Sequence, residues 1–415
     1  MKASALAVLL VYGVIVTFWK VLHVLLFFYK PKRYFLGRRT TPRVGSDGPR
    51  ISILLAAKDE AGNIGDCMRS VLAARYTNFE LIVIDDRSQD GTAAEAEAAA
   101  AGDPRVRFLR VDAMPVGWTG KMNAIRQGLT RATGEVLLLI DADSRHHPDT
   151  LGTAVAYLER KRVALLSLLP RLEHRCLFSK LVQPMIGALT MFWKPLPWVN
   201  SRKRKWLAFG WGGFLMVRRA VLEQVGGLEA VRDRFAADIA LVHRVKQAGH
   251  RIRILHGPEL VSTFLYADRS AIIQGWARLL RITADQRRGL LLTTILALWL
   301  LCLTAYPAIV MGLIELFRCL GRGYGLSEVF AGQARELPLF LGLGGVTHLI
   351  CQLTLLGRFY RISGTHPVYV LGHLPAVVVT CYVLALAYLR TFSGQMSWRG
   401  TSYQLTSTGG AGGSR

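Results

Sequence analysis

Residues 136–143 read VLLLIDAD: five apolar residues, Val136 to Ile140, and then Asp141-Ala142-Asp143. An unbroken apolar run of this length has the pattern of a strand buried on both faces, as in a parallel sheet covered by helices. The two carboxylates begin where the strand stops. Spaced at i and i+2 in a turn, both can reach one hard cation, and Mg²⁺ or Mn²⁺ held this way uses one or two carboxylates plus substrate phosphates. Upstream the same grammar repeats. Ile51–Ala57 (ISILLAA) is a second such run, followed by Lys58-Asp59-Glu60. Phe79–Ile84 (FELIVI) is a third, ending in Asp85-Asp86, and Val106–Val111 reads as another strand. Between them, Ile64, Met68, Val71 and Leu72 carry helical spacing, and an Ala/Glu-rich helix opens at Gly91-Thr92. Strands alternating with helices predict an α/β fold with a parallel sheet. In such sheets ligands bind beyond the carboxyl ends of the strands, where the acidic residues stand. No G-x-G-x-x-G follows the first strand and no P-loop motif occurs, which speaks against a dinucleotide-binding domain and a P-loop NTPase.

Outside this region the chain turns apolar. Of 415 residues 51% are hydrophobic and 19% charged, and the mean hydropathy is +0.29. Such a balance excludes a disordered chain and places part of it in lipid. Four stretches have spanning length: Ala3–Tyr29, Leu290–Ile314 with Pro307 expected to kink it, Leu337–Leu356 and Val368–Leu389. The first ends in Lys30, Lys32, Arg33, Arg38 and Arg39, which holds the following chain on the cytoplasmic side. The expected organisation is a membrane helix over 1–30, a catalytic domain over 50–288, membrane helices over 289–390, and a tail over 391–415, disordered from Thr406. Counting spans would leave Trp398 and Arg399 outside the cell. A fourth stretch that does not fully cross, interrupted by Gly372, His373 and Pro375, is the favoured alternative. His348 and His373 read as packed polar residues.

Lys and Arg number 52 against 28 Asp and Glu, a net charge of +24. In a membrane protein that charge faces anionic headgroups. No zinc-ligand array or RNP-type motif accompanies it, so nucleic acid is not an expected partner. Phe178–Trp198, rich in aromatic residues and followed by Arg202-Lys203-Arg204-Lys205, reads as an interfacial helix beside a headgroup-binding loop. The six cysteines form no C-x-x-C pair and read as reduced and inert.

In order along the chain stand AAKDEAGNI (56–64), VIDDRSQDGT (83–92), GWTGKMNAI (117–125), LLIDAD (138–143), GWGGFLMVRR (210–219) and ADIALVHRV (237–245). This set resembles the family 2 glycosyltransferases, which use the nucleotide-binding fold called GT-A. The resemblance covers about Ile51 to Arg281. It implies that Asp59 or Glu60, with Asp86, holds the uridine of a UDP-sugar. It implies that Asp141 and Asp143 bind Mg²⁺ or Mn²⁺ and the donor diphosphate. The Gly117-x-x-Gly120 before Lys121 suggests backbone closely approaching a ligand, with Lys121 near the phosphates. The family's base lies in an E-D-x-x-L-x-x-R motif. Asp238, Leu241 and Arg244 match it, with Ala237 at the first acidic position, so Asp238 is the expected general base of an inverting transfer. Trp211, Gly212 and Gly213 fall where the family places the acceptor. Arg278-x-x-Arg281 matches part of the (Q/R)-x-x-R-W motif of processive synthases, with Ile282 in place of Trp, and Arg278 is expected at the donor. GWTGK, PWVN (197–200) and WRGTSY (398–403) resemble the hopanoid-associated, carotenoid and ceramide-type glycosyltransferases, which implies a single sugar moved to a lipid by an inner-membrane, multi-pass enzyme. The alternatives are a processive polysaccharide synthase and a catalytically inactive lipid-binding or assembly subunit.

Overall fold

The computed structural model describes residues 3–28, 31–38, 47–266, 268–324, 337–393, 395–398 and 401–404. An apolar helix, α1 (Ala3–Phe28), leads in. Then β1 (Ile51–Ala57), α2 (Ile64–Leu72), β2 (Phe79–Asp86), α3 (Thr92–Ala100), β3 (Val106–Val111), α4 (Gly120–Leu129) and β4 (Val136–Ile140) alternate as the apolar runs predict. Next come β5 (Ser144–His146), α5 (Thr150–Arg160), β6 (Leu165–Leu169), β7 (Arg171–Leu172), α6 (Leu177–Trp193) and α7 (Leu196–Val199). The α/β part closes with β8 (Phe214–Arg218), α8 (Arg219–Gln224), α9 (Ala237–Gln247), β9 (Ile252–His256), β10 (Val261–Thr263) and α10 (Arg269–Thr283).

Seven strands form one sheet in the order β3-β2-β1-β4-β8-β6-β9. Pairing is parallel except around β8, which runs antiparallel to both β4 and β6. The sheet is therefore mixed rather than purely parallel. FLMVR is as apolar as its neighbours, and a fully buried strand carries no mark of its direction. The fold is a GT-A-like α/β architecture with a mostly parallel central sheet. Two apolar layers cover its faces: Ile53, Leu55, Val83 and Leu138 point one way, Leu54, Ile82, Ile84 and Leu139 the other. The alternation along each strand produces this division. A small second sheet, β5-β10-β7, braces the end of β4.

After α10 come α11 (Arg288–Leu298) and α12 (Ala305–Gly321), joined by a π-helical turn at Trp299–Leu303. The irregularity expected at Pro307 thus sits in the turn before it, as a ring without an N–H cannot serve the Leu303 carbonyl. The π turn frees the Leu301 carbonyl, which accepts from Trp19 Nε1 at 2.6 Å and Gln352 Nε2 at 2.6 Å and lies 2.7 Å from His348 Nε2. This node ties α1 and α13 (Leu337–Ile362) to the π turn. Gly312 and Gly342 let α12 and α13 touch backbone to backbone. Among the described residues, three helical segments are long and apolar enough to cross a membrane: Arg288–Gly321, Pro338–Ile362 and Pro367–Arg390; Leu10–Leu25 is a shorter apolar helix.

The last of these breaks at its start, as Gly372 and Pro375 predict: Pro367–Gly372 is a 3₁₀ turn and α14 runs His373–Arg390. Both its ends touch the α/β part. Before it, Leu172 N donates to Ser363 O at 3.1 Å, His174 Nε2 lies 2.7 Å from Thr365 Oγ1, and Lys180 Nζ donates to Tyr369 OH at 3.2 Å. After it, Arg390 reaches the Gln274 side chain of α10, and Arg288, at the start of α11, donates to Thr391 Oγ1 at 3.0 Å. α6 and α10 share one apolar cluster with α11, α13 and α14. The segment expected at the interface is therefore packed against membrane-type helices along one face. Beyond it, Trp198 and Trp206 are exposed and the Arg204 guanidinium lies over the Trp198 ring. A backbone hairpin, β11 (Gln395–Trp398) with β12 (Thr401–Gln404), ends the described chain. Arg399 and Thr406–Arg415 lie outside the described residues.

Candidate active site

The carboxyl ends of β1, β2 and β4 open on a cavity of about 470 Å³. Glu60, Asp86, Lys121, Asp141, Asp143, Trp211, Gly212, Asp238 and Arg278 all line it. Residues spread over more than 200 positions thus meet in one place. Asp59 and Gly213 do not line it.

Asp59 has φ +52°, a left-handed residue that reverses the chain after β1. Its backbone N–H donates to Ser88 Oγ at 3.0 Å, and its carboxylate accepts from Gln89 N at 2.9 Å. Asp90 and Glu95 continue the stitch, accepting from the backbone N–H groups of Ala61 and Gly65. These carboxylates bind the β1 and β2 turns to each other, which leaves Glu60 to face the cavity. Asp86 is buried and accepts from Arg87 Nε at 2.9 Å. Gly120 opens α4 against it: a Cβ there would stand 2.5 Å from Asp86 Oδ2. The G-x-x-G before Lys121 thus serves the approach of backbone to a carboxylate.

The turn after β4 is held by Ser144, whose hydroxyl donates to Asp141 O at 2.6 Å, and by Phe264 N donating to Asp143 O at 3.2 Å. Asp141 pairs with the Lys121 ammonium. Burial opposes charge on Lys121, but Asp141, Asp238 and Asp143 outweigh it and hold its pKa above the usual lysine value. At Asp143 the Lys121 charge does not prevail. Its Oδ1 is buried without a hydrogen-bond partner. Burial first, then the charges of Asp141 and Glu60, push its pKa up to about 7. An acid pair with an orphaned oxygen and a deficit of positive charge fits a divalent cation. Among the described residues no group of three or more His, Cys, Asp or Glu side chains could hold the ion alone. Substrate oxygens and water would have to complete its shell.

Asp238 is the second residue of α9, across the cavity. Burial raises its pKa, and Lys121 and the N–H groups of Ile239 and Gly212 act against that rise. Gly212 has no room for a side chain, since its Cβ would lie 2.9 Å from Asp238 Oδ2. Gly213 is covered by the Trp211 indole, 2.2 Å from where its Cβ would be. Ser167 of β6 fixes this loop, accepting from Trp211 N at 2.9 Å. The WGG segment therefore orients Asp238 by its backbone. Arg278 lines the cavity beside Tyr266, whose ring fills the space above Gly275 and whose hydroxyl burial pushes up to about 12. Arg281, its partner in the R-x-x-R spacing, is buried. Asn63, Thr263 and Tyr266 also line the cavity. No spacing marks them, because the turns and the small sheet bring them there.

Residues 52–226 match the family described as Glycosyl transferase family 2. The chain is 33% identical over 117 residues to the beta-monoglucosyldiacylglycerol synthase of Trichormus variabilis, 28% of this chain and 25% of that protein. It is 26% identical over 253 residues to the poly-beta-1,6-N-acetyl-D-glucosamine synthase of Staphylococcus aureus, 57% of this chain and 55% of that one. The matches thus span a quarter to about half the length of these curated relatives. Among solved structures, the mannosyltransferase PcManGT from Pyrobaculum calidifontis, in complex with GDP-Man and Mn²⁺, aligns over 92% of this chain and 99% of its own at 18% identity and TM-score 0.48. With the motifs in order and the acidic residues gathered at the strand ends, residues 52–226 form a domain that matches Glycosyl transferase family 2.

Proposed function

We propose that this enzyme moves a single sugar from a nucleoside-diphosphate sugar, UDP-linked, to a hydroxyl of a membrane lipid, with inversion at the anomeric carbon. One observation carries the reading. The cavity that gathers Asp86, Asp141, Asp143, Lys121 and Asp238 extends to Phe359 and Ile362, on the last turns of membrane-type helix α13. A polar end suits the donor and an apolar end suits a lipid.

In the proposed reaction, Glu60 and Asp86 accept from the nucleoside's N–H and O–H groups. Lys121 and Arg278 face the diphosphate. Asp141 and Asp143 are the residues that would hold Mg²⁺ or Mn²⁺, which when bound supplies positive charge to the departing diphosphate. Asp238 takes the proton of the acceptor hydroxyl as its oxygen bonds to the anomeric carbon and the bond to the diphosphate breaks. A buried carboxylate with a raised pKa suits that task, and the N–H of Gly212 holds it in line. Ala237 in place of the usual acid leaves this base intact.

The same reading sets the protein in the inner membrane with the catalytic domain cytoplasmic. Basic residues after α1 support that side. Arg202–Lys205 beside exposed Trp198 and Trp206 suit an anionic headgroup layer. The contacts at both ends of α14 support three crossings, by α1, α11–α12 and α13, with α14 returning to the side it left. That arrangement removes the conflict over the tail.

Mass analysis of lipids from cells with and without the gene tests the function. A hexosyl-lipid that appears only with the protein is expected. A soluble polymer instead would replace this reading with the processive one.

A further inference from the structure

The cavity has an apolar arm that the catalytic residues do not explain. From Asp238 its wall continues over Phe209 and Leu265 to Leu279 and Ile282 of α10, then to Gly187 and Met191 of α6 and Phe359 and Ile362 of α13. A water-soluble acceptor would have no use for this apolar arm. α6 and α13 meet at a glycine: the Cβ position of Gly187 lies 3.4 Å from the Phe359 ring. A methyl at 187 would touch that ring at ordinary contact distance, and a side chain longer than alanine's would run into it. The seam is held at fixed width from outside. Tyr360 OH donates to Leu181 O at 2.5 Å, Leu172 N donates to Ser363 O, and Arg171 packs over Gly364, where a Cβ would stand 2.1 Å from its side chain. α13 itself is apolar, and two-thirds of its most apolar stretch is uncovered by the rest of the chain. Its outer surface therefore belongs to lipid.

We infer that the acceptor is a membrane lipid that enters sideways from the bilayer, through the seam between α6 and the last turns of α13. Its apolar body lies along Gly187, Met191, Leu279 and Phe359 while its hydroxyl reaches Asp238. Gly187 sets the width of that entrance and hence the bulk of the acceptor admitted. This rests on the lipid-acceptor reading above and names its route. The seam joins a bilayer-facing helix to a buried base, and an amphipathic molecule with a small hydroxylated head fits both ends.

The test uses the full-length enzyme in nanodiscs made from the source cell's own lipids, with radiolabelled UDP-glucose and Mn²⁺. Label in the organic phase measures transfer to lipid, label released as free sugar measures hydrolysis, and UDP binding is measured by calorimetry. Gly187→Trp is expected to lower transfer to lipid at least tenfold, with UDP binding and hydrolysis within twofold of the unaltered enzyme. Gly187→Ala, which fits at ordinary contact distance, is expected to keep transfer. If Gly187→Trp does not fold, Met191→Trp on the next turn of α6 obstructs the same wall and carries the same expectation. Wild-type transfer in a folded Trp variant overturns the route and leaves the lipid reading standing. Label that moves from the unaltered enzyme only to a water-soluble acceptor overturns both.

Discussion

Asp59 and Glu60 stand side by side, yet one faces the cavity and the other stitches two turns together. Only the left-handed backbone at Asp59 separates them, and no spacing rule reveals it. Asp86, Asp141, Asp143 and Asp238 were legible because each follows an apolar run or opens a helix at a strand's carboxyl end. Glycines were legible as motif letters but not as causes. Gly213 is kept small by Trp211, Gly212 by Asp238 and Gly120 by Asp86. The last gives a residue-scale expectation. Gly120→Ala puts a methyl 2.5 Å from Asp86 Oδ2, and the carboxylate must move. Losing one charged hydrogen bond to the nucleoside costs about 1.5–3 kcal/mol. Calorimetry of UDP should then show binding weaker by roughly tenfold or more, with the melting temperature nearly unchanged. Unchanged UDP affinity would mean that Asp86 does not touch the nucleoside.

At the scale of elements, the parallel strands β1, β2 and β4 and the apolar helices could be read from period and length. The direction of β8 could not, nor could the place where the Pro307 irregularity settles, a π turn whose Leu301 carbonyl accepts from Trp19 and Gln352. The bundle also recruits α6 and α10, helices whose apolar faces look like ordinary core in the sequence. One tie matters to the base. Lys246 of α9 is buried and donates to the carbonyls of Val199 at 2.5 Å, Leu207 at 2.6 Å and Trp198 at 3.3 Å. It fastens the helix that carries Asp238 to the segment leading into the WGG loop. Burial pushes its pKa down to about 8. Lys246→Met removes the donor and leaves these carbonyls unpaired, at roughly 2–4 kcal/mol in total. A fall in melting temperature of several degrees is expected, and kcat should fall further than UDP affinity. Equal stability of the variant would show that water replaces the ammonium without cost.

For the whole molecule, four apolar stretches were countable but the crossings were not. Hydropathy reports length and apolarity, whereas the proposed return of α14 rests on contacts that the residues flanking it make with Leu172, His174, Gln274 and Arg288. Single cysteines at His366 and at Ser393, both exposed, in a chain whose own six are replaced, should both be labelled by a membrane-impermeant maleimide in inside-out vesicles. Neither should react in intact cells. Opposite labelling of the two positions would make α14 a crossing helix. The central claim is that carboxylates at strand ends transfer a sugar to lipid with the help of a divalent cation, Asp238 taking the proton. Its most direct test is the rate at which label passes from UDP-glucose into the organic phase, with Mn²⁺ and with EDTA. The unaltered enzyme should need the ion. Asp143→Asn should lose transfer together with Mn²⁺-dependent UDP binding. Asp238→Asn should keep that binding while kcat falls by about 10²–10⁴. Transfer that persists in EDTA, or an Asp238→Asn enzyme with unchanged kcat, would contradict the account.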